Sequence, residues 1–141
     1  QAVAIAGEAV IVGASRADLG TTSNQGSAFV FTRSGTVWTQ QAQLTASDGA
    51  ANDDFGRSVG LSGDFAIIGA PTDDVGANGD QGTAWVFSRV GSAWIGPDLT
   101  LLASDGAALD NFGHAVAIDG DTAIVSAPLD DVGGNVEQGP A

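Results

Sequence analysis

The chain has 141 residues, with 17 acidic residues against four arginines and a formal net charge of −13. Nucleic acids and anionic membranes are poor partners for such a surface, because phosphate binding needs clustered cations. The sequence contains no cysteine and no apolar run of 18 residues, which excludes a disulfide framework and predicts no membrane insertion.

The predicted elements follow a pattern that recurs along the chain. Val3, Val59 and Val116 each begin a copy, so the spacing is 56 and then 57 residues. A fixed period of this size is typical of repeat architectures. The repeats cover about residues 1–54, 55–111 and 112–141, and together they are predicted to form a single propeller segment.

Each repeat is predicted to contain four short strands, which the second repeat shows most clearly. Its first strand covers 59–61, and its second, 65–70, is a continuous apolar run that a proline ends. An acidic loop, 72–82, leads to an aromatic and β-branched third strand at 83–89, and a tight turn leads to a fourth at 93–102. Short strands with Gly/Asp turns indicate an all-β fold. Four strands per repeat match an antiparallel blade of a β-propeller, so the chain holds about two and a half blades.

Two short motifs carry a family resemblance. Phe55-Gly56 followed by Gly69-Ala70-Pro71 resembles the signature of FG-GAP repeats, the family that includes the propeller of integrin α subunits and many secreted or surface bacterial proteins. The third repeat has Phe112-Gly113 with Ser126-Ala127-Pro128, and the first has Gly13-Ala14-Ser15. The resemblance implies a β-propeller, a secreted or cell-surface location, and a non-catalytic binding or adhesion role with a protein or glycan ligand.

Calcium is the cofactor that the acidic residues suggest. The calcium loop of integrin-like repeats has shrunk here to 62–64 and 119–121, which offer two carboxylates at most, whereas calcium takes six to eight oxygens. The acidic loop after the second strand is the remaining candidate. Its predicted ligands are Asp73, Asp74, Asp80, Asp130, Asp131 and Glu137. The alternative is that these carboxylates cap turns and face water, on a surface adapted to high salt. Residues 48–54 are better explained as a turn.

Aromatic residues offer a second kind of candidate site. Trp38 and Trp94 occur once per repeat in the fourth strand, at the expected outer edge of the blade, where rings can stack on sugar faces; packing into the core is the alternative. Trp85 lies in a third strand and is predicted to pack between blades. His114 is the only histidine, and no cysteine or lysine nucleophile is present, so the sequence predicts no enzymatic activity.

Two and a half blades leave a propeller open, because closed propellers usually have about four to eight blades. Bare apolar faces and strand edges favour association. We therefore expect a second copy of the chain, as a homodimer that closes the propeller, or the rest of a longer chain, to complete the blades. The favoured function is a binding or adhesion module. The alternatives are a carbohydrate-binding or glycan-hydrolysing domain, and a structural repeat with calcium-stabilised acidic loops.

Overall fold

The computed structural model describes residues 1–131, which form a row of three antiparallel β-sheets without a helix. Blade 1 consists of β1 (Ala2–Ala6), β2 (Ala9–Ala14), β3 (Ser27–Ser34) and β4 (Val37–Leu44), in that spatial order. Blade 2 consists of β5 (Ser58–Ser62), β6 (Phe65–Ala70), β7 (Thr83–Val90) and β8 (Ala93–Leu101). Blade 3 is represented by the pair β9 (Val116–Asp119) and β10 (Thr122–Val125). The predicted all-β fold of four-stranded antiparallel blades is confirmed.

The strands of each blade run up and down, so the connections between them lie alternately at the two opposite ends of the strands. Tight turns join β1 to β2, β3 to β4 and their equivalents, and we call this side the hairpin edge. Longer segments emerge on the opposite side, which we call the loop rim; it consists of residues 15–26, 45–57, 71–82 and 102–115. No helix in the described residues has the length and hydrophobicity needed to span a membrane.

The Phe-Gly motifs of blades 2 and 3 each lie directly on the Gly-Ala motif of the blade before. A Cβ atom added to Gly13 would stand 2.0 Å from the carbonyl oxygen of Gly56, and one added to Gly69 would stand 2.0 Å from that of Gly113. Only glycine permits backbones to approach so closely. The two halves of the repeat signature are therefore the two sides of one contact between neighbouring blades.

Phe55 is the side chain that this contact buries. It has no exposed surface, and its ring meets that of Phe87 edge to face, with centroids 6.2 Å apart. Its backbone forms a parallel bridge with Gly26 of blade 1. Since Phe55 precedes β5, the chain enters blade 2 by placing a phenylalanine in the core that blades 1 and 2 share.

Burial differs sharply between the middle blade and the outer ones. Val59 and Leu61 of β5 are each 8% exposed because blade 1 covers them, and β6 is apolar and buried along most of its length. Their repeat equivalents in β1, Val3 and Ile5, are 71% and 69% exposed. Ile124 of β10 is likewise 69% exposed, whereas its equivalent Ile67 is fully buried. One apolar face is thus uncovered at each end of the described row.

The predictions for three aromatic residues of blades 1 and 2 agree with this arrangement. Trp85 of β7 is 3% exposed and belongs to the core between blades 1 and 2, which confirms its predicted packing. Trp38 and Trp94 lie in β4 and β8, the outermost strands of their blades, as expected.

Candidate functional site

The loops of neighbouring blades are joined into one continuous rim by backbone hydrogen bonds. Asn52 donates to the carbonyl of Ser23 at 3.0 Å, and Asp54 donates to that of Asn24 at 3.3 Å. The next junction repeats the arrangement: the amide of Leu109 donates to Gly79 at 2.9 Å, and that of Asn111 to Asp80 at 3.2 Å. At each of these two junctions the loop rim is therefore built from segments of two neighbouring blades.

Asp73, the first of the predicted calcium ligands, is engaged in a buried hydrogen-bond chain. The indole of Trp85 donates to the Thr83 hydroxyl at 2.8 Å, and that hydroxyl donates to Asp73 Oδ2 at 2.6 Å. All three residues are at least nine-tenths buried. The chain joins the start of β7 to the acidic loop, so that loop is fixed at its base.

Burial raises the pKa of Asp73 to about 6, and the hydrogen bond from Thr83 opposes this effect only in part. The negative charges of Asp53, Asp48 and Asp74 raise the pKa of Asp73 further. Burial also raises the pKa of Asp53, which is 4% exposed. Carboxylates from both blades thus converge at this junction, where charge is costly because water is excluded.

Blade 1 lacks this hydrogen-bond chain, and its three positions change together. The positions of Asp73, Thr83 and Trp85 are occupied in the first repeat by Ala17, Ser27 and Phe29. The Ser27 hydroxyl is fully buried and has no hydrogen-bond partner. Its repeat equivalent, Thr83, donates to the carboxylate of Asp73, whereas the alanine at the matching position of blade 1, Ala17, has no side-chain acceptor.

The other predicted calcium ligands are distributed over both junctions. Asp74 accepts a hydrogen bond from the amide of Asp80 at 2.9 Å, and Asp130 is 4% exposed in the second junction, where burial and Asp110 raise its pKa. Asp131 is exposed, and Glu137 lies outside the described residues. Within residues 1–131, no group of three or more acidic or histidine side chains is arranged to hold a metal ion. Calcium binding by these loops stays a prediction.

Residues 48–54 form the turn that the sequence favoured. The amide of Ala50 donates to the Asp53 carboxylate, and that of Ala107 donates to Asp110 in the next repeat. The side chains close their own loops in both junctions, as turn aspartates commonly do.

The two candidate stacking residues, Trp38 and Trp94, lie towards the hairpin edge, away from the loop rim. The guanidinium of Arg33 lies 5.8 Å from the ring centre of Trp38, and that of Arg89 lies 5.9 Å from Trp94. One ring face of each is thus shared with an arginine of its own blade, while Trp38 keeps 46% of its surface exposed. Sugar stacking on these rings stays a prediction.

Two adjoining cavities open on the loop rim, and Asp80 is the one predicted metal ligand within residues 1–131 that lines either of them. The first, of about 460 Å³, is lined by Gln1, residues 14–17 and Arg57. The second, of about 290 Å³, is lined by Arg16, Asn24, Asn52, Asp54, Thr72 and Asp80. Arg16 belongs to both. A comparison of the repeats could have pointed to this site, because two arginines occur only at the first junction. Arg16 and Arg57 occupy the positions that Thr72 and His114 occupy at the next junction.

Stacked four-stranded antiparallel sheets with a recurring Phe-Gly/Gly-Ala contact define a repeat protein of the β-propeller class. The family model of the FG-GAP repeat matches residues 1–31, 38–87 and 98–141, which is most of the chain. The chain belongs to the FG-GAP repeat family. No similar sequence was found among curated proteins.

Proposed function

We propose that this chain is a non-catalytic, extracellular binding or adhesion module whose FG-GAP blades present a protein or glycan ligand site at the loop rim. FG-GAP repeats are typical of extracellular or surface proteins, and domains built from them are generally non-catalytic. The observation that carries the proposal is the hydrogen bonding between loops of neighbouring blades, which makes the rim a single preorganised surface.

Ligand capture by the intact chain tests this proposal. The protein is screened against a glycan array and a panel of extracellular matrix proteins. Binding of any hit is expected to be weakened by mutations in the loop rim. Variants at the hairpin edge, such as Val37→Asp, serve as the control because Val37 is exposed and distant from the rim. Turnover of any array glycan, or binding lost only in hairpin-edge variants, would contradict the proposal.

A second copy of the chain is the proposed partner for the bare end faces. Val3 and Ile5 occupy the positions that Val59 and Leu61 use to pack on blade 1. The outer face of blade 1 is therefore built like a surface that does pack against a blade, and Ile124 exposes apolar surface at the opposite end. Two copies arranged head to tail would cover both faces and supply enough blades to close a propeller.

The double variant Val3→Asp/Ile5→Asp is expected to convert a dimer into a monomer, because it places two charges on the face that would be covered. Light scattering at micromolar concentration measures the change, with Val37→Asp as a matched valine that is 63% exposed away from this face. A wild-type protein that is a folded monomer would overturn the proposed self-association.

A further inference from the structure

The four arginines divide into two pairs with different surroundings. Arg33 Nε lies 2.7 Å from Glu8 Oε2, and Arg89 Nη2 lies 2.6 Å from Asp64 Oδ1, so these two are neutralised at the hairpin edge. Arg16 and Arg57 have no carboxylate within ion-pair distance in the described residues, and both line the 460 Å³ cleft at the loop rim. In a chain of net charge −13, the two arginines without an ion pair in the described residues thus line the same cavity.

The contact between blades 1 and 2 brings these arginines together. Arg57 follows Gly56, whose carbonyl lies on Gly13, and Arg16 follows closely after the strand that contains Gly13. The amide of Arg57 donates to the carbonyls of Asp54 and Gly69 at 3.0 and 3.2 Å, which fixes its backbone. Both side chains are exposed, so their guanidinium groups are accessible from solvent.

We propose that the Arg16–Arg57 cleft binds the carboxylate of an acidic saccharide, with the sugar hydroxyls in the adjoining cavity. Guanidinium groups form paired hydrogen bonds to carboxylates, and both arginines that line this cleft, Arg16 and Arg57, are exposed. The adjoining cavity is lined by the amide side chains of Asn24 and Asn52, the hydroxyl of Thr72 and the carboxylate of Asp80, and groups of these kinds match sugar hydroxyls as donors and acceptors.

The surrounding charge selects a ligand that carries its carboxylates sparsely. Asp54 and Asp80 line the second cavity, and further aspartates crowd the rim, so a dense polyanion would be repelled around the arginine pair. A uronic-acid residue presents one carboxylate and several hydroxyls. The inference deepens the proposed function, on which it rests, by naming the ligand class and the residues of its site.

Calorimetric titration of the intact chain with a disaccharide of one glucuronic acid and one neutral sugar tests the inference. We expect binding that weakens with added salt, and little or no binding of the same disaccharide with its carboxyl group reduced to an alcohol. Arg57→His and Arg16→Thr introduce the residues that the second junction carries at these positions, so the backbone tolerates them. Each is expected to weaken binding at least tenfold.

Arg33→Gln is the matched control, since it removes one positive charge at the hairpin edge, and we expect it to change affinity less than twofold. Equal binding of the reduced disaccharide, or equal losses in Arg33→Gln and Arg57→His, would overturn the inference. An aspartate-rich peptide that binds with the same arginine dependence, while the uronate does not bind, would overturn it in favour of a protein ligand. An array hit on neutral glycans, unaffected by either arginine, would leave the proposed function standing and remove this site.

Discussion

Replacing Phe55 with alanine is expected to lower the free energy of unfolding by about 3–5 kcal/mol. The side chain is completely buried and meets Phe87 in the core between blades 1 and 2, so its removal leaves a cavity at the blade contact. The loss should appear as a lower midpoint in urea denaturation followed by tryptophan fluorescence, with an unchanged dependence on denaturant concentration.

Phe65→Ala is the matched control, because Phe65 is a phenylalanine of the same blade that is 41% exposed. Its truncation removes less buried area and is expected to cost about 1 kcal/mol or less. Equal losses in the two variants would mean that the Phe-Gly contact does not hold the blades together.

At pH 7, Asp73→Asn is expected to raise the free energy of unfolding by about 3 kcal/mol. Asp73 has a pKa of about 6 in the folded protein, above the value of 3.8 for a free side chain. The folded state therefore favours the protonated form, whose contribution to stability is complete below about pH 4 and is lost as pH rises through about 6. Asparagine resembles that neutral form at every pH and still accepts the hydrogen bond from Thr83.

The difference between Asp73→Asn and the wild type should accordingly vanish near pH 4 and grow towards pH 7, as urea titrations at several pH values would show. Asp98→Asn removes an exposed charge of β8 and controls for the general repulsion of an acidic chain. If Asp73→Asn were less stable than the wild type at pH 7, the free-energy cost assigned to the buried Asp73 charge would be refuted.

Added calcium tests whether the acidic loop binds this ion. If it does, calcium is expected to raise the melting temperature of the wild type more than sodium chloride of equal ionic strength does. Asp73→Asn is expected to lose that additional increase.

The repeat period and the local sequence patterns together predicted the blades, because the features that define each strand are local. Apolar runs such as Phe65–Ala70, tight turns between neighbouring strands and the recurring Phe-Gly motif are encoded by adjacent residues. Those signals suffice for strand order within a blade, since consecutive antiparallel strands joined by short turns pair with each other. The outer position of Trp38 and Trp94 followed for the same reason.

The local sequence also suggested that the acidic loops were the place to find a site, because carboxylates recur there. It did not indicate that Asp73 is buried under Thr83 and Trp85, since the cost of its charge depends on residues ten and twelve positions away that close over it. The partners of Trp38 and Trp94 were equally hidden, because Arg33 and Arg89 reach the rings across a strand pair.

By itself, then, the sequence determined the all-β repeat fold, the four strands of blade 2 to within about one residue at each end, and the resemblance to the FG-GAP family. Only the tertiary structure decided which side chains meet between blades. Arg16 and Arg57 are separated by 41 positions and share no local pattern, yet they line one cleft because Gly56 lies on Gly13. Contacts within a blade follow from chain neighbours, whereas contacts between blades depend on how whole sheets stack, which no short segment encodes.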